Sequence, residues 1–194
     1  MHQQTVRVSV EVIDEAKAGS ARAFGVIVDE YQTFAYRVAF RFVGHAAKAE
    51  DILQEGFISL WKNIHQYPTD IKITTWLYRI IANRSLDFLK SSAAKQRKNH
   101  MDMELGYFIE QETTPLSELE GKELLNVIQQ AADTLTPKQR AVFVLRDLEG
   151  LTVDEVCDVL SISSSNMKSN LYHARQAVSK RLKPYIENDN SIRL

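Results

Sequence analysis

The chain has 194 residues, room for one or two domains, and 44% of them are hydrophobic, which supplies a modest core and excludes intrinsic disorder. Lys and Arg number 24 against 25 Asp and Glu, a formal net charge of −1, so any nucleic-acid surface has to be local rather than global. The single cysteine, Cys157, excludes an intrachain disulfide and a zinc site built from cysteines.

At the N-terminus no basic segment leads into an apolar core and a small-residue cleavage site. No run is apolar for long enough to span a bilayer, the most aromatic stretch being broken by Asp29, Glu30, Arg37 and Arg41. A reduced, soluble, cytoplasmic protein is expected. Val6, Val8, Val10 and Val12 alternate with Arg7, Ser9 and Glu11 in the manner of a strand. With no second strand to pair with it, Ser9 to Ala18 is expected instead as a short helix ended by Gly19, with Ser20 capping the next. From Phe24 the apolar residues Ile27, Val28, Tyr31, Phe34, Ala35, Val38 and Phe42 recur at helical spacing up to a stop at Gly44. Ala49 to Tyr67 reads as a helix with Leu53, Phe57, Leu60, Trp61 and Ile64 inside and Asp51, Gln54, Glu55 and Ile58 outside. A proline-bounded loop, Tyr67 to Thr74, precedes a further helix from Thr75 through Lys90. Twelve of the 17 Phe, Trp and Tyr residues lie between Phe24 and Phe88, so most are core. Those beside Lys72, Arg79, Arg84 and Lys90 suit a basic groove for unstacked bases.

Near residue 95 the composition shifts. Lys95, Arg97, Lys98 and His100 form a basic exit, followed by an acidic, weakly periodic stretch with Asp102, Glu104, Glu110, Glu112, Glu118, Glu120, Gly106 and Pro115, which reads as a linker. Beyond it, Thr136-Pro137-Lys138-Gln139 and Thr152-Val153-Asp154-Glu155 each open a helix with a capping box. Val153 to Leu160, the short turn Ser161-Ile162-Ser163, and a third helix from near Ser164 to about Leu182 make a helix-turn-helix. The third helix has an apolar seam of Met167, Leu171, Ala174, Val178 and Leu182. Its opposite face carries Ser165, Lys168, Ser169, Tyr172, His173 and Gln176. It has no acid between Ser164 and Lys183, whereas the preceding segment holds Asp147, Glu149, Asp154, Glu155 and Asp158. Helix size and donor groups both suit the major groove of duplex DNA. Cys157 is expected as a small buried residue at the helix crossing, and the four prolines, Pro184 included, at or beyond helix edges.

Three segments then resemble one family. Ala49-Glu50-Asp51-Ile52-Leu53-Gln54-Glu55-Gly56-Phe57-Ile58-Ser59-Leu60-Trp61 resembles region 2.2 of bacterial RNA polymerase sigma factors. Thr75-Trp76-Leu77-Tyr78-Arg79-Ile80-Ile81-Ala82-Asn83 with Leu86-Asp87-Phe88-Leu89-Lys90 resembles regions 2.3 and 2.4, and Gly150 through Arg175 resembles region 4.2. The two-domain plan is similar to the extracytoplasmic-function (ECF) subfamily. The resemblance implies an all-α fold: a region 2 domain at 1–98, an acidic linker at 99–120 in the RNA-exit path of the polymerase, and a region 4 domain at 121–194. It implies that Asp51, Gln54, Glu55 and Ile58 dock on the clamp helices of core RNA polymerase, with the flap as a second contact. Tyr67, Lys72, Thr74, Arg79, Asn83 and Arg84 would meet the single-stranded −10 element, Tyr67 and Asn83 forming the pocket for a flipped base. Lys168, Ser169, Tyr172 and His173 would face the bases of the duplex −35 element with Ser165 beside them, while Asn166 and Arg175 would position phosphates. An anti-sigma factor would cover the region 2.2 edge or the recognition helix. No cofactor is called for.

The chain departs from its relatives at Ser161, where Gly is usual at the turn, at Ser165 and Asn166, where Gly and a β-branched residue are usual, at Asn170, which replaces a common Arg, and at Asp70-Ile71-Lys72-Ile73. Its base preferences are therefore its own. A stand-alone helix-turn-helix regulator is the alternative reading, yet such a protein has no need of the Asp51–Trp61 and Thr75–Lys90 segments. An enzyme is not indicated: there is no Walker loop, HExxH or nucleophile elbow, and the histidines at 2, 45, 65, 100 and 173 show no paired spacing.

Overall fold

In a computed structural model of the protein the residues described are 8–68, 71–99, 131–132 and 134–192, with side chains to 91 in the first half and to 183 in the second. The expected linker at 99–120 lies outside them, apart from the backbone of Asn99. Packing divides the chain into two units, residues 1–85 and 86–194. The division falls inside a long helix.

The first unit begins with α1 (Val10–Lys17), and Ser9 is its cap, Oγ accepting from the Val12 N–H at 3.5 Å. The valine alternation does not make a strand. A helix buries Ile13 and Ala16 instead and leaves Val10 exposed. After Gly19, at φ +94°, Ser20 caps α2 (Ala21–Val43) by accepting from Ala23 N–H at 3.2 Å. The buried line of α2 runs Ala23, Ile27, Tyr31, Ala35, Val38, Ala39 and Phe42, with Phe34 and Val28 at its half-buried margin. Gly44 ends it in the left-handed conformation, its N–H donating to the Phe40 carbonyl at 2.7 Å.

Helix α3 (Ala46–Asn63) starts three residues before the expected Ala49, and it closes in a tighter turn, Ile64–Gln66, before Tyr67 is reached. Its buried line is Ala49, Ile52, Gly56, Phe57 and Leu60. Leu53 and Trp61, expected inside, sit on the flanks, Leu53 half-buried and Trp61 37% exposed. The centre of the stripe is Gly56, where a Cβ would stand 2.9 Å from Ile81 Cδ1, so the missing side chain makes room for Ile81. Opposite it lies α4 (Ile73–Asn99), which starts two residues before Thr75 and continues past Lys90. It buries Ile73, Leu77, Ile81, Ala82 and Ser85 at helical spacing.

In the second unit, α5 (Pro137–Phe143) and α6 (Val153–Leu160) both open with the reciprocal caps read from the sequence. Gln139 N–H donates to Thr136 Oγ1 at 3.3 Å while Thr136 N–H donates to Gln139 Oε1 at 3.1 Å. Glu155 and Thr152 repeat the exchange at 3.3 and 2.8 Å. Between them Val144–Leu148 forms a widened turn, with Glu149 N–H donating five residues back to the Val144 carbonyl at 2.9 Å. Helix α7 (Ser164–Ile192) buries Met167, Leu171, Ala174 and Val178, and Leu182 packs at the edge of a core that includes Ala131, Ala132, Leu135 and Phe143. It outruns the expected end at Leu182 and carries Pro184 within it, which is a correction: a proline forfeits one main-chain hydrogen bond and kinks a helix without having to end it. Cys157 is half-buried rather than buried.

The turn between α6 and α7 depends on Ser161, which holds φ 52° and ψ 49°. In that left-handed conformation a Cβ crowds the backbone at a cost of about 1 kcal/mol that glycine does not bear. Ser161→Gly is expected to stabilise the second unit by about 0.5–1 kcal/mol, net of the entropy glycine adds to the unfolded chain. Denaturant unfolding followed by circular dichroism measures it, and an unchanged or lower midpoint contradicts the strain.

Candidate nucleic-acid interface

On α3 the four residues expected to dock a partner stand at i, i+3, i+4 and i+7, and all four are exposed, Ile58 by 54%. Asp51 accepts an ion pair from Lys48 at 3.0 Å, one turn back. The ridge extends one step further than the sequence pattern indicated. Trp61, three residues after Ile58, is exposed on it, steadied by the Phe24 ring at 4.8 Å between centroids. The acidic ridge thus ends in two exposed apolar side chains, Ile58 and Trp61.

The loop after α3 behaves differently from expectation at one residue. Tyr67 is only 6% exposed, its hydroxyl donates to the Ile71 carbonyl, and its ring packs on Trp76 at 5.2 Å between centroids. The Tyr67 carbonyl accepts from Lys17 Nζ at 3.2 Å, tying α1 to the same loop. With ring and hydroxyl both engaged, Tyr67 does not present a stacking face, and it shapes the loop from within. Its partner Trp76, which the sequence pattern did not single out, is half-buried. Trp76 shares one face of α4 with Arg79 and Asn83, at i, i+3 and i+7, and Lys72 immediately precedes the helix. Lys72 and Asn83 are exposed and Arg79 is half-buried. Thr74, half-buried, and Arg84, exposed, lie off that face. Arg84 turns instead to α3, where Nη1 donates to Glu55 Oε2 at 3.4 Å. Two residues assigned separate partners thus share an ion pair.

On α7 the outward side chains Ser165, Asn166, Lys168, Ser169, Tyr172, His173 and Gln176 are all exposed, over a seam that is buried from Met167 to Val178. Tyr172 is 61% exposed, and its ring meets that of His173 edge-on at 5.5 Å. The face offers hydroxyl, amide, ammonium and imidazole groups at helical spacing and no carboxylate. Arg175 does not stand ready for a phosphate: its Nε and Nη2 donate to the two carboxylate oxygens of Asp147 at 2.8 and 2.7 Å. Those hydrogen bonds, and then the charge of Asp147, raise the guanidinium pKa further above its ordinary value. The bidentate pair joins the widened turn to the recognition helix. Asn166 also has a protein partner, the side chain of Asn170. Ion pairs 28 and 29 residues apart in sequence leave no mark in a helical pattern. Among the described residues no cluster of His, Cys, Asp and Glu could hold a metal ion, and no helix is long and apolar enough to cross a membrane.

Comparison with known proteins matches residues 27–95 to the sigma-70 region 2 family and residues 125–178 to the sigma-70 region 4 family. The chain is 31% identical over 180 residues to the ECF RNA polymerase sigma factor SigW of Bacillus subtilis, covering 88% of this chain and 95% of that one. It is 26% identical to the RNA polymerase sigma-H factor of Pseudomonas aeruginosa, covering 91% and 94%. Among solved structures it resembles CnrH in complex with the cytosolic domain of CnrY, at TM-score 0.62 and 20% identity over 90% of this chain and 96% of that one. It also resembles the sigma factor RpoE of Bartonella quintana in complex with the anti-sigma factor NepR, at TM-score 0.65 and 16% identity over 84% and 98%.

The Arg175–Asp147 bridge makes a measurable demand. In a double-mutant cycle of Arg175→Ala and Asp147→Ala, thermal or denaturant unfolding is expected to give a coupling energy of about 0.5–1 kcal/mol, shrinking as salt is added. Additive single losses would show that the two groups do not act together.

Proposed function

The chain belongs to the ECF branch of the sigma-70 family and is a transcription initiation factor, not an enzyme; from that premise we propose how its surfaces divide the work. The exposed ridge Asp51, Gln54, Glu55 and Ile58, lengthened by Trp61, docks on the clamp helices of core RNA polymerase, and the second unit takes the flap. The outward face of α7 enters the major groove at the −35 element. Lys168, Ser169, Tyr172 and His173 meet base edges there, Ser165 lies at the groove margin, and each well-placed bidentate contact is worth roughly 1–3 kcal/mol of discrimination. Arg175 acts there through Asp147, by fixing the helix.

The face of α4 with Arg79 and Asn83, together with Lys72 just before the helix, receives the unpaired −10 strand, with Thr74 and Arg84 at its margins and Tyr67 holding the loop that borders it. Flipping a base out of the stack costs a few kcal/mol, and stacking on protein groups returns about 1–3 kcal/mol per base. A strand-trapping surface thereby opens DNA without ATP. With a net charge of −1, the free factor has little general attraction for phosphates. Tight promoter binding then requires polymerase to hold both units on the DNA at once.

The observation that carries this reading over a stand-alone regulator is α3 itself. It buries Ala49, Ile52, Gly56, Phe57 and Leu60 while leaving an acidic ridge with Ile58 and Trp61 in solvent, a surface that duplex DNA cannot use. An anti-sigma protein is a further expected partner, since CnrH and the Bartonella RpoE were each solved with a bound protein. It would cover the α3 ridge or the α7 face, both of which transcription needs free.

The test is co-purification with core polymerase followed by run-off transcription. The unaltered chain is expected to associate and direct initiation from a promoter recovered from a random library. Asp51→Arg and Ile58→Ala are each expected to weaken association about tenfold while leaving the melting temperature in place. Absence of association, or association of both variants as tight as that of the unaltered chain, would refute the assignment.

A further inference from the structure

At the start of α7 two side-chain amides are locked together. Asn170, half-buried beside the seam, donates from Nδ2 to the main-chain carbonyl of Asn166 at 2.8 Å, and also to Asn166 Oδ1. A main-chain carbonyl only accepts, so the atom of Asn170 that faces it has to be nitrogen, and the remaining proton on that nitrogen decides which way Asn166 turns. The outward set is thereby fixed: Asn166 Nδ2 as a donor and Asn170 Oδ1 as an acceptor, neither meeting a protein partner among the described residues. Asn166 is the third residue of the helix, and its own N–H is held by Ser163 Oγ at 3.3 Å, so the backbone beneath the pair is anchored too.

We propose that Asn166 and Asn170 act as one reading unit that selects adenine in the duplex bound by α7. Asn166 Nδ2 donates to adenine N7, and Asn170 Oδ1 accepts from the N6 amino group. The inference rests on the assignment of α7 to duplex DNA. Major-groove chemistry makes the choice sharp. Guanine presents two acceptors, N7 and O6, and would set its O6 against Asn170 Oδ1. Cytosine offers a donor alone, and thymine an acceptor beside a methyl group. Asn170 therefore has two duties: it supplies the acceptor, and it positions the donor of Asn166. A residue that only steadied the helix would do neither.

Holoenzyme reconstituted with the full chain is used to select promoters in which the −35 stretch is randomised. The unaltered factor is expected to show an adenine-over-guanine preference of roughly 5- to 150-fold at one position. Asn166→Ala, which changes an exposed side chain, and Asn170→Ala are each expected to flatten that same position and leave the others as they were. The double variant is expected to flatten it no further than either single one. If Asn170→Ala lowers selection of every sequence alike, or leaves all base preferences intact, the reading unit is wrong and α7 still reads DNA by its other residues. If the unaltered holoenzyme shows no base preference anywhere in the randomised stretch, the duplex role of α7 falls with it.

Discussion

Every outward-facing side chain assigned a partner here depends on a line of buried ones on the same helix. An α-helix that buries one stripe at three- and four-residue intervals is obliged to expose the other side. On α3 the stripe through Ile52, Gly56 and Leu60 turns Asp51, Glu55 and Ile58 outward. On α4 the line Ile73, Leu77, Ile81 and Ser85 does the same for Asn83, and on α7 the seam from Met167 to Val178 sets out Lys168, Ser169 and Tyr172. The core does more than hold the units together. It fixes the azimuth of each recognition surface to within a fraction of a helical turn.

Charge is then distributed so that opposed demands do not collide. Carboxylates line the exposed side of α3 and flank α6, and α7 has none between Ser164 and Lys183. Where opposite charges do meet across elements, they are used differently. Arg175 and Asp147 make a bidentate bridge that braces the recognition helix, with Asp147 largely shielded. Arg84 and Glu55 meet at 3.4 Å in the open, where water screens them and the pair contributes little to stability. The first is part of the scaffold, while the second stays available to other partners.

Much of this was legible before any coordinates. Caps are local, so Ser20, Gly44 and the two capping boxes at Thr136 and Thr152 appear where their spacing places them. The α7 seam follows from period alone. What escaped has a common physical cause, that period reports a helix's own faces and not what lies opposite. Gly56 carries no hydrophobic signal, yet a Cβ there would crowd Ile81 of α4, and counting Trp61 as core instead rotated the assigned face. Tyr67 was placed in a base pocket by resemblance of its loop alone, whereas its ring lies buried against Trp76 and its hydroxyl donates to the Ile71 carbonyl. Arg175 and Arg84 looked free because their acidic partners lie on other elements.

The reciprocal caps at Thr136 and Thr152 have a kinetic side. Each is closed between residues three apart, so the starts of α5 and α6 are set without bringing distant parts of the chain together. Such contacts incur almost none of the loop-closure entropy that slows folding. Helical units dominated by short-range contacts reach their native state in microseconds to milliseconds. The starts of α5 and α6 therefore need no distant contact, whereas the core that joins Phe143 to Ala174 and Val178 does.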